Sequence, residues 1–200
     1  PTADLDPGLE APIRTALVAL SESLLQRFYD VAEPGWEWWE PWLTWGNARL
    51  PEALLRAAAA LGDRDLATAG LRALGFLAGV TQPRDVLIPI GNDGWFQRGH
   101  NRAVHDQQPI EACAMVDVWI AASKLPGRMA YASKAVEAFG WFFGENTERI
   151  VMVEETGGCH DGLSIAGVNR NMGAESTLSY VHAHAALALF LQGERQLQKS

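Results

Sequence analysis

The chain has 200 residues, 48% hydrophobic and 20% charged, and its 16 Lys and Arg against 24 Asp and Glu leave a formal net charge of −8. This is the composition of one soluble globular domain spanning the whole chain and large enough to bury a substantial core. An acidic balance with no block of Lys or Arg repels nucleic-acid phosphate and anionic membrane surfaces, so neither nucleic acid nor membrane is expected as a partner.

The first predicted helix runs from about Leu9 to Val31, with Leu17, Leu20, Leu24, Leu25 and Phe28 at helical spacing, and Pro34-Gly35 stops it. After a Trp-rich loop, Pro51 opens a second helix that ends at Leu61, and Gly62-Asp63 turns the chain into a third, about Arg64 to Ala78. A long loop, Gly79 to His105, follows. Pro109 then opens a fourth helix to about Lys124, Pro126-Gly127 turns it, and Met129 to Phe143 reads as a fifth, ended by Gly144. A Gly-rich loop, Glu145 to Met172, leads into a last helix from about Ala174 to Leu191. Almost no strands are expected.

Helix openings at Pro51, Pro109 and Ala174 recur at an interval of about sixty residues, which suggests stacked αα-hairpins with every long loop on the same face. The helices after the long loops carry small residues (Ala57 to Ala60, Ala112 and Ala114, Ala183 to Ala188), as the inner ring of an (α/α) toroid requires. An open helical bundle or solenoid satisfies the same spacing. The longest strongly apolar stretch, near Ala183 to Leu191, falls well short of the roughly 20 residues of a spanning helix. Two cysteines, Cys113 and Cys159, point to a reducing compartment, the cytoplasm. The opening PTADLDPG carries no initiator Met, basic n-region or apolar h-region, and reads as a processed chain or a piece of a longer one.

Chemistry-bearing residues collect in the long loops. Five of the eight tryptophans, Trp36, Trp38, Trp39, Trp42 and Trp45, fall within ten residues. Most are expected as buried anchors, but so short a stretch cannot easily bury all of them, and an exposed indole stacks on the C–H face of a sugar. Glu40, Asn47 and Arg49 beside them offer hydroxyl-binding groups, and Trp95 in the second loop is a further platform. Three loop-to-helix junctions bring acids, amides or Arg to one face: Asn47 and Arg49; Asp106, Gln107, Gln108 and Glu111; Asp161, Asn169, Asn171 and Glu175. Each junction alone is a helix cap, since Glu111 and Glu175 lie in first turns where the dipole favours a carboxylate. Three converging junctions suggest a polar cleft. Glycoside cleavage needs two carboxyl groups about 5 to 10 Å apart, and Asp106, Glu111, Asp161 and Glu175 are the candidates for that acid/base work.

Neither Cys159-His160-Asp161 nor His100 with His105 has metal-ligand spacing, and no metal or other cofactor is expected. No nucleophile motif supports Cys159 with His160. His182 and His184, two apart on a helix, read as one packed and one exposed. GNDGW and TGGCHDG fit no phosphate-binding loop.

The segments WEWWEPWLTWGNARLPEALL, HDQQPIEACAMVD, AFGWFFGEN and ETGGCHDGLSIAGVNRNMGAESTLSY together resemble a bacterial α-helical domain. That domain lies C-terminal to, or is encoded beside, glycosyltransferases of the retaining GT-B type. The resemblance spans about Glu33 to Phe190 and implies an (α/α) toroid of the six-hairpin glycosidase kind. Family members carry further hairpins before this region, so the chain would supply about half of a toroid, and a missing N-terminal segment, a partner chain or a second copy would complete it. The nucleotide-sugar-binding domain has no counterpart here, since the strand–helix alternation it needs is missing. What the resemblance implies is a carbohydrate-active domain that binds a saccharide or polysaccharide. Glycosidase-like or lyase-like cleavage remains open, and the alternative is a non-catalytic acceptor-binding or scaffolding module of a glycosyltransferase.

Overall fold

The structure, a computed structural model, describes residues 7–83 and 86–197. It is all-α apart from two short two-stranded sheets, with helices α1 (Pro7–Val31), α2 (Arg49–Leu61), α3 (Arg64–Thr81), α4 (Pro109–Ser123), α5 (Ala132–Gly140) and α6 (Ala174–Leu197). No helix among the described residues is long and apolar enough to cross a membrane.

All six helices expected from apolar spacing are present, and the differences lie at their ends. α2 begins two residues before Pro51, which still falls among the first backbone N–H positions that have no helical partner. Between α2 and α3, Gly62 turns at φ +70°, and Asp63 caps α3 by accepting from the backbone N–H groups of Asp65 and Leu66 at 2.8 and 3.0 Å. α3 runs on to Thr81, whose hydroxyl donates to the Leu77 carbonyl at 2.8 Å. The fifth element is shorter than spacing suggests: a 3-10 turn, Met129–Tyr131, precedes α5, which ends at Gly140. There the buried Asn146 amide donates to the Trp141 and Ile150 carbonyls, both at 2.8 Å, and draws the chain out of the helix.

α4 reads PIEACAMVDVWIAAS, apolar on every side, and lies at the centre of the molecule with α2, α5 and α6 packed against it. α2 pairs with α3, and α1 covers both. The Trp-rich loop closes the core between α1 and α3: Trp36, Trp38 and Trp39 are buried, and their indoles meet Phe28 and Phe76 at ring-centroid distances of 5.0 to 6.2 Å. Trp39 Nε1 donates to the Leu24 carbonyl at 2.8 Å and Trp36 Nε1 to that of Glu40 at 2.7 Å, so neither buried donor lacks an acceptor.

The long loops lie at one end of the helices and are joined through their backbones. Strand β1 (Trp42–Leu43) of the first loop pairs antiparallel with β2 (Phe96–Gln97) of the second. A single bridge joins Gln107 of the second to Leu163 of the third, within the hairpin of β3 (Gly162–Ser164) and β4 (Gly167–Asn169). Two glycines permit close backbone approach at this end, Gly91 within the second loop and Gly162 at the Gln107–Leu163 bridge. A Cβ at Gly91 would lie 1.7 Å from the His105 carbonyl oxygen, and one at Gly162 would lie 2.6 Å from that of Gln107.

Candidate functional site

The loop-bearing end holds an open cleft of about 410 Å³. Its lining is Trp45, Asp106, Gln108, Asp161 and Asn169 together with residues 173–176, which open α6 and include Glu175. Six residues singled out from sequence therefore meet in one place, drawn from all three loops.

Each wall is fixed by its own device. Trp45 is 59% exposed, and its indole Nε1 donates to the Gln108 side-chain carbonyl at 2.7 Å, so the ring is held while its surface stays open. Gln108 precedes α4 in extended backbone, and Gln107 beside it is buried. The Gln107 side chain accepts from Trp141 Nε1 at 3.0 Å and donates to the Val104 carbonyl and to Thr147 at 2.9 and 3.0 Å, which pins the junction. Asp106, between that anchor and the cleft, has φ +56°, a conformation that Asp tolerates better than most residues but that still costs free energy. Asp161 accepts from the Gly173 N–H at 2.7 Å, from Ser176 and from the Asn171 amide at the start of α6. Desolvation opposes its ionisation, but these hydrogen bonds, with His160 nearby, outweigh it and hold the carboxyl below its usual value.

The remaining residues do not line the cleft, and each has a physical reason. Trp39 is 1% exposed and is a core anchor, which overturns its expected role as a stacking platform. Trp95 is half-buried against the core. Glu40 lies 4.0 Å from Arg27 on the α1 side. Asn47 is buried, and its side chain accepts from the Thr44 N–H and donates to the Thr44 carbonyl, both at 2.9 Å. Gln107 is the anchor described above, and Asn171 supports Asp161 from the rim. Glu111 is 5% exposed beneath the Gly46-Asn47 turn, accepting from the Gly46 N–H, the Asn47 N–H at 3.3 Å and the Asn47 amide at 3.2 Å. Burial pushes its carboxyl up to about 7, against the pull of those donors and of Arg49.

Arg49 also lies outside the cleft, in a network that sequence reasoning missed. Its guanidinium donates to Glu52 at 2.6 Å and to Asp117 at 2.7 Å. Asp117, on α4, is 2% exposed and also meets His182 Nε2 of α6 at 2.9 and 3.1 Å. Desolvation works against the Arg49 charge, but Asp117 and Glu52 raise its pKa further still. Cys113 lies one turn before Asp117, and burial, then the Asp117 charge, push its thiol up to about 12. One signal pointed here: an aspartate in the middle of a helix otherwise apolar all round has to find a buried partner. His182 and His184 are both exposed, and His184 packs edge-on against Phe139 and Tyr180. His160 Nε2 lies 3.0 Å from Glu154, and burial, then Asp161, push the Cys159 thiol up to about 12, leaving it protonated rather than nucleophilic.

No family model and no curated protein matches the chain.

Proposed function

We propose that this chain is a saccharide-binding domain of the cytoplasm that serves a glycosyltransferase, with the cleft at the loop-bearing end as its glycan site. The observation that carries this is the exposed Trp45 indole, locked in place by Gln108 above a cleft whose other walls are carboxylates and amides. A fixed aromatic face stacks on a sugar ring with little ordering cost, and flanking Asp106, Asp161, Glu175 and Asn169 offer acceptors and donors to hydroxyl groups. The link to a glycosyltransferase rests on the resemblance, whose segments NARLP, DQQPIEA and GAESTL lie at the openings of α2, α4 and α6. In this reading α2, α4 and α6 form part of the inner ring of an (α/α) toroid, with α3 and α5 outside them.

Binding without cleavage is the favoured form. A glycosidase acid needs a carboxyl held above its usual value on the cleft wall. The raised group here, Glu111, sits beneath the Gly46-Asn47 turn, and Asp161 is shifted the other way. One observation favours cleavage as a second reading: Asp106 on the wall is held at positive φ, the kind of strain that collects at reactive sites.

The test is glycan-array binding, with isothermal titration of the best ligand and detection of released sugar, on wild type, Trp45→Ala and Asp106→Asn. Binding that Trp45→Ala removes, without sugar release, establishes the binding domain. Release that Asp106→Asn abolishes establishes the second reading. No binding to any saccharide overturns both.

A further inference from the structure

A second cluster lies away from the cleft, where α2, α4 and α6 adjoin, and it has donors of three kinds. Cys113 Sγ, an Asp117 carboxylate oxygen and a His182 ring nitrogen all lie within 4.8 Å of one another. Cys113 and Asp117 are one turn apart on α4, so both project from the same side of that helix, and α6 brings His182 against them. The two α4 residues are buried, whereas the His182 side chain is 59% exposed. His182 gives the cluster its solvent-facing side, and a pocket of about 260 Å³ among α2, α4 and α6 also reaches Asp117.

We propose that Cys113, Asp117 and His182 form a binding site for a divalent transition-metal ion, Zn2+ by the chemistry of its donors. Thiolate, carboxylate and imidazole on one ion select zinc over the hard cations magnesium and calcium, which take oxygen ligands. Zinc sits about 2.3 Å from sulfur and about 2.0 to 2.2 Å from nitrogen and oxygen, so the donors close on it by side-chain shifts of about an ångström. Three protein ligands leave the fourth position for water on the open side.

The positive charge of Arg49 beside the cluster does not exclude the ion, because Arg49 already holds a second carboxylate. Its guanidinium is 2.6 Å from Glu52 and 2.7 Å from Asp117, and it keeps the first when Asp117 turns to the metal. On binding, Cys113 gives its thiol proton to solvent and the sulfur becomes a thiolate ligand. The proton on the imidazole resides on Nδ1 while Nε2 donates its lone pair to the metal. Zn2+, one thiolate and one carboxylate then sum to zero charge, and Arg49, itself partly exposed, keeps Glu52, which it shares with the solvent-facing Arg56 at 2.7 Å. Neither state leaves an unpaired buried charge.

The site is tested on the purified chain, stripped with chelator and titrated with Co2+ and then Zn2+. One equivalent of Co2+ gives a thiolate-to-cobalt charge-transfer band in the near ultraviolet and visible bands of tetrahedral intensity, and Zn2+ displaces both. Cys113→Ser removes the charge-transfer band, and His182→Ala, at an exposed position, weakens binding by about tenfold or more. Cys159→Ser, remote from the cluster, leaves the band unchanged, and circular dichroism checks that each variant is folded. No saturable cobalt spectrum, a band that survives Cys113→Ser, or one lost with Cys159→Ser overturns the proposal. The outcome does not depend on whether the cleft binds a saccharide.

Discussion

Trp45 and Gln108, 63 residues apart in the chain, are joined by a 2.7 Å hydrogen bond from indole to side-chain carbonyl. The bond spans two loops and fixes an aromatic surface that would otherwise turn freely at an exposed site. Replacing Gln108 by Leu keeps the bulk and removes the acceptor, so affinity for the glycan found by array falls about tenfold through loss of preorganisation, while Trp45→Ala costs about 2 kcal/mol, roughly thirtyfold. Isothermal titration separates the two. Equal effects from both substitutions would show that the hydrogen bond, rather than the ring face, carries binding.

Glu111 makes stability depend on pH in a stated direction. Its folded-state value, about 7, lies above the ordinary 4.5, so its contribution is complete below pH 4.5 and is lost as pH rises through 7. The full span corresponds to at most about 3 kcal/mol. Asp161 acts oppositely: its folded-state value is lowered, so its contribution is present above the ordinary Asp range and is lost as pH falls through the lowered value. Urea unfolding of Glu111→Gln from about pH 2 to about pH 8 is expected to lose the neutral-side decline and keep the acid-side one. A wild-type decline that survives in Glu111→Gln would assign it to another group.

The buried and the exposed tryptophans of the first loop predict opposite outcomes for the same change. Trp39→Ala removes a ring that is 1% exposed and a hydrogen bond to Leu24, and is expected to lower the unfolding free energy by about 3 to 5 kcal/mol. Trp42 is 38% exposed, and Trp42→Ala should change it by about 1 kcal/mol or less. Denaturant midpoints of the two variants settle it, and similar losses would contradict the burial described.

Glycine substitutions test the backbone contacts between loop segments. Gly91→Ala drives a methyl group into the His105 carbonyl and should cost about 3 kcal/mol. Gly75→Ala, inside α3 with open space around it, should stabilise by about 0.5 to 1 kcal/mol. A neutral Gly91→Ala would mean that the loop ending at His105 yields easily.

Helix positions were legible because apolar spacing reports directly on burial, and the alternation of long loops with tight turns placed the second and third junctions at one cleft, whereas the first contributes Trp45 and not Asn47 or Arg49. Helix ends were less so, since Thr81 and Asn146 set them through side-chain bonds that spacing does not encode. Trp39 and Trp45 could not be told apart, because one loop supplies both and only the packing of α1 selects the first for the core. Glu111 was a candidate cleft acid because acids and amides recur at three junctions, but it faces the turn before α2. Asp117 escaped notice inside an apolar helix, and its partners Arg49 and His182 come from distant segments. The β1–β2 pairing and the Gln107–Leu163 bridge join residues more than fifty positions apart, a relationship that no local pattern carries.

That bridge also orders events in time. The cleft draws on Trp45, on Asp106 and Gln108, and on residues from Asp161 to Ser176, so a nascent chain halted after α4 holds the central helix and the tryptophan anchors but only part of the recognition surface. Because the last wall docks onto Gln107 late in synthesis, the cleft is complete only once the start of α6 has left the ribosome.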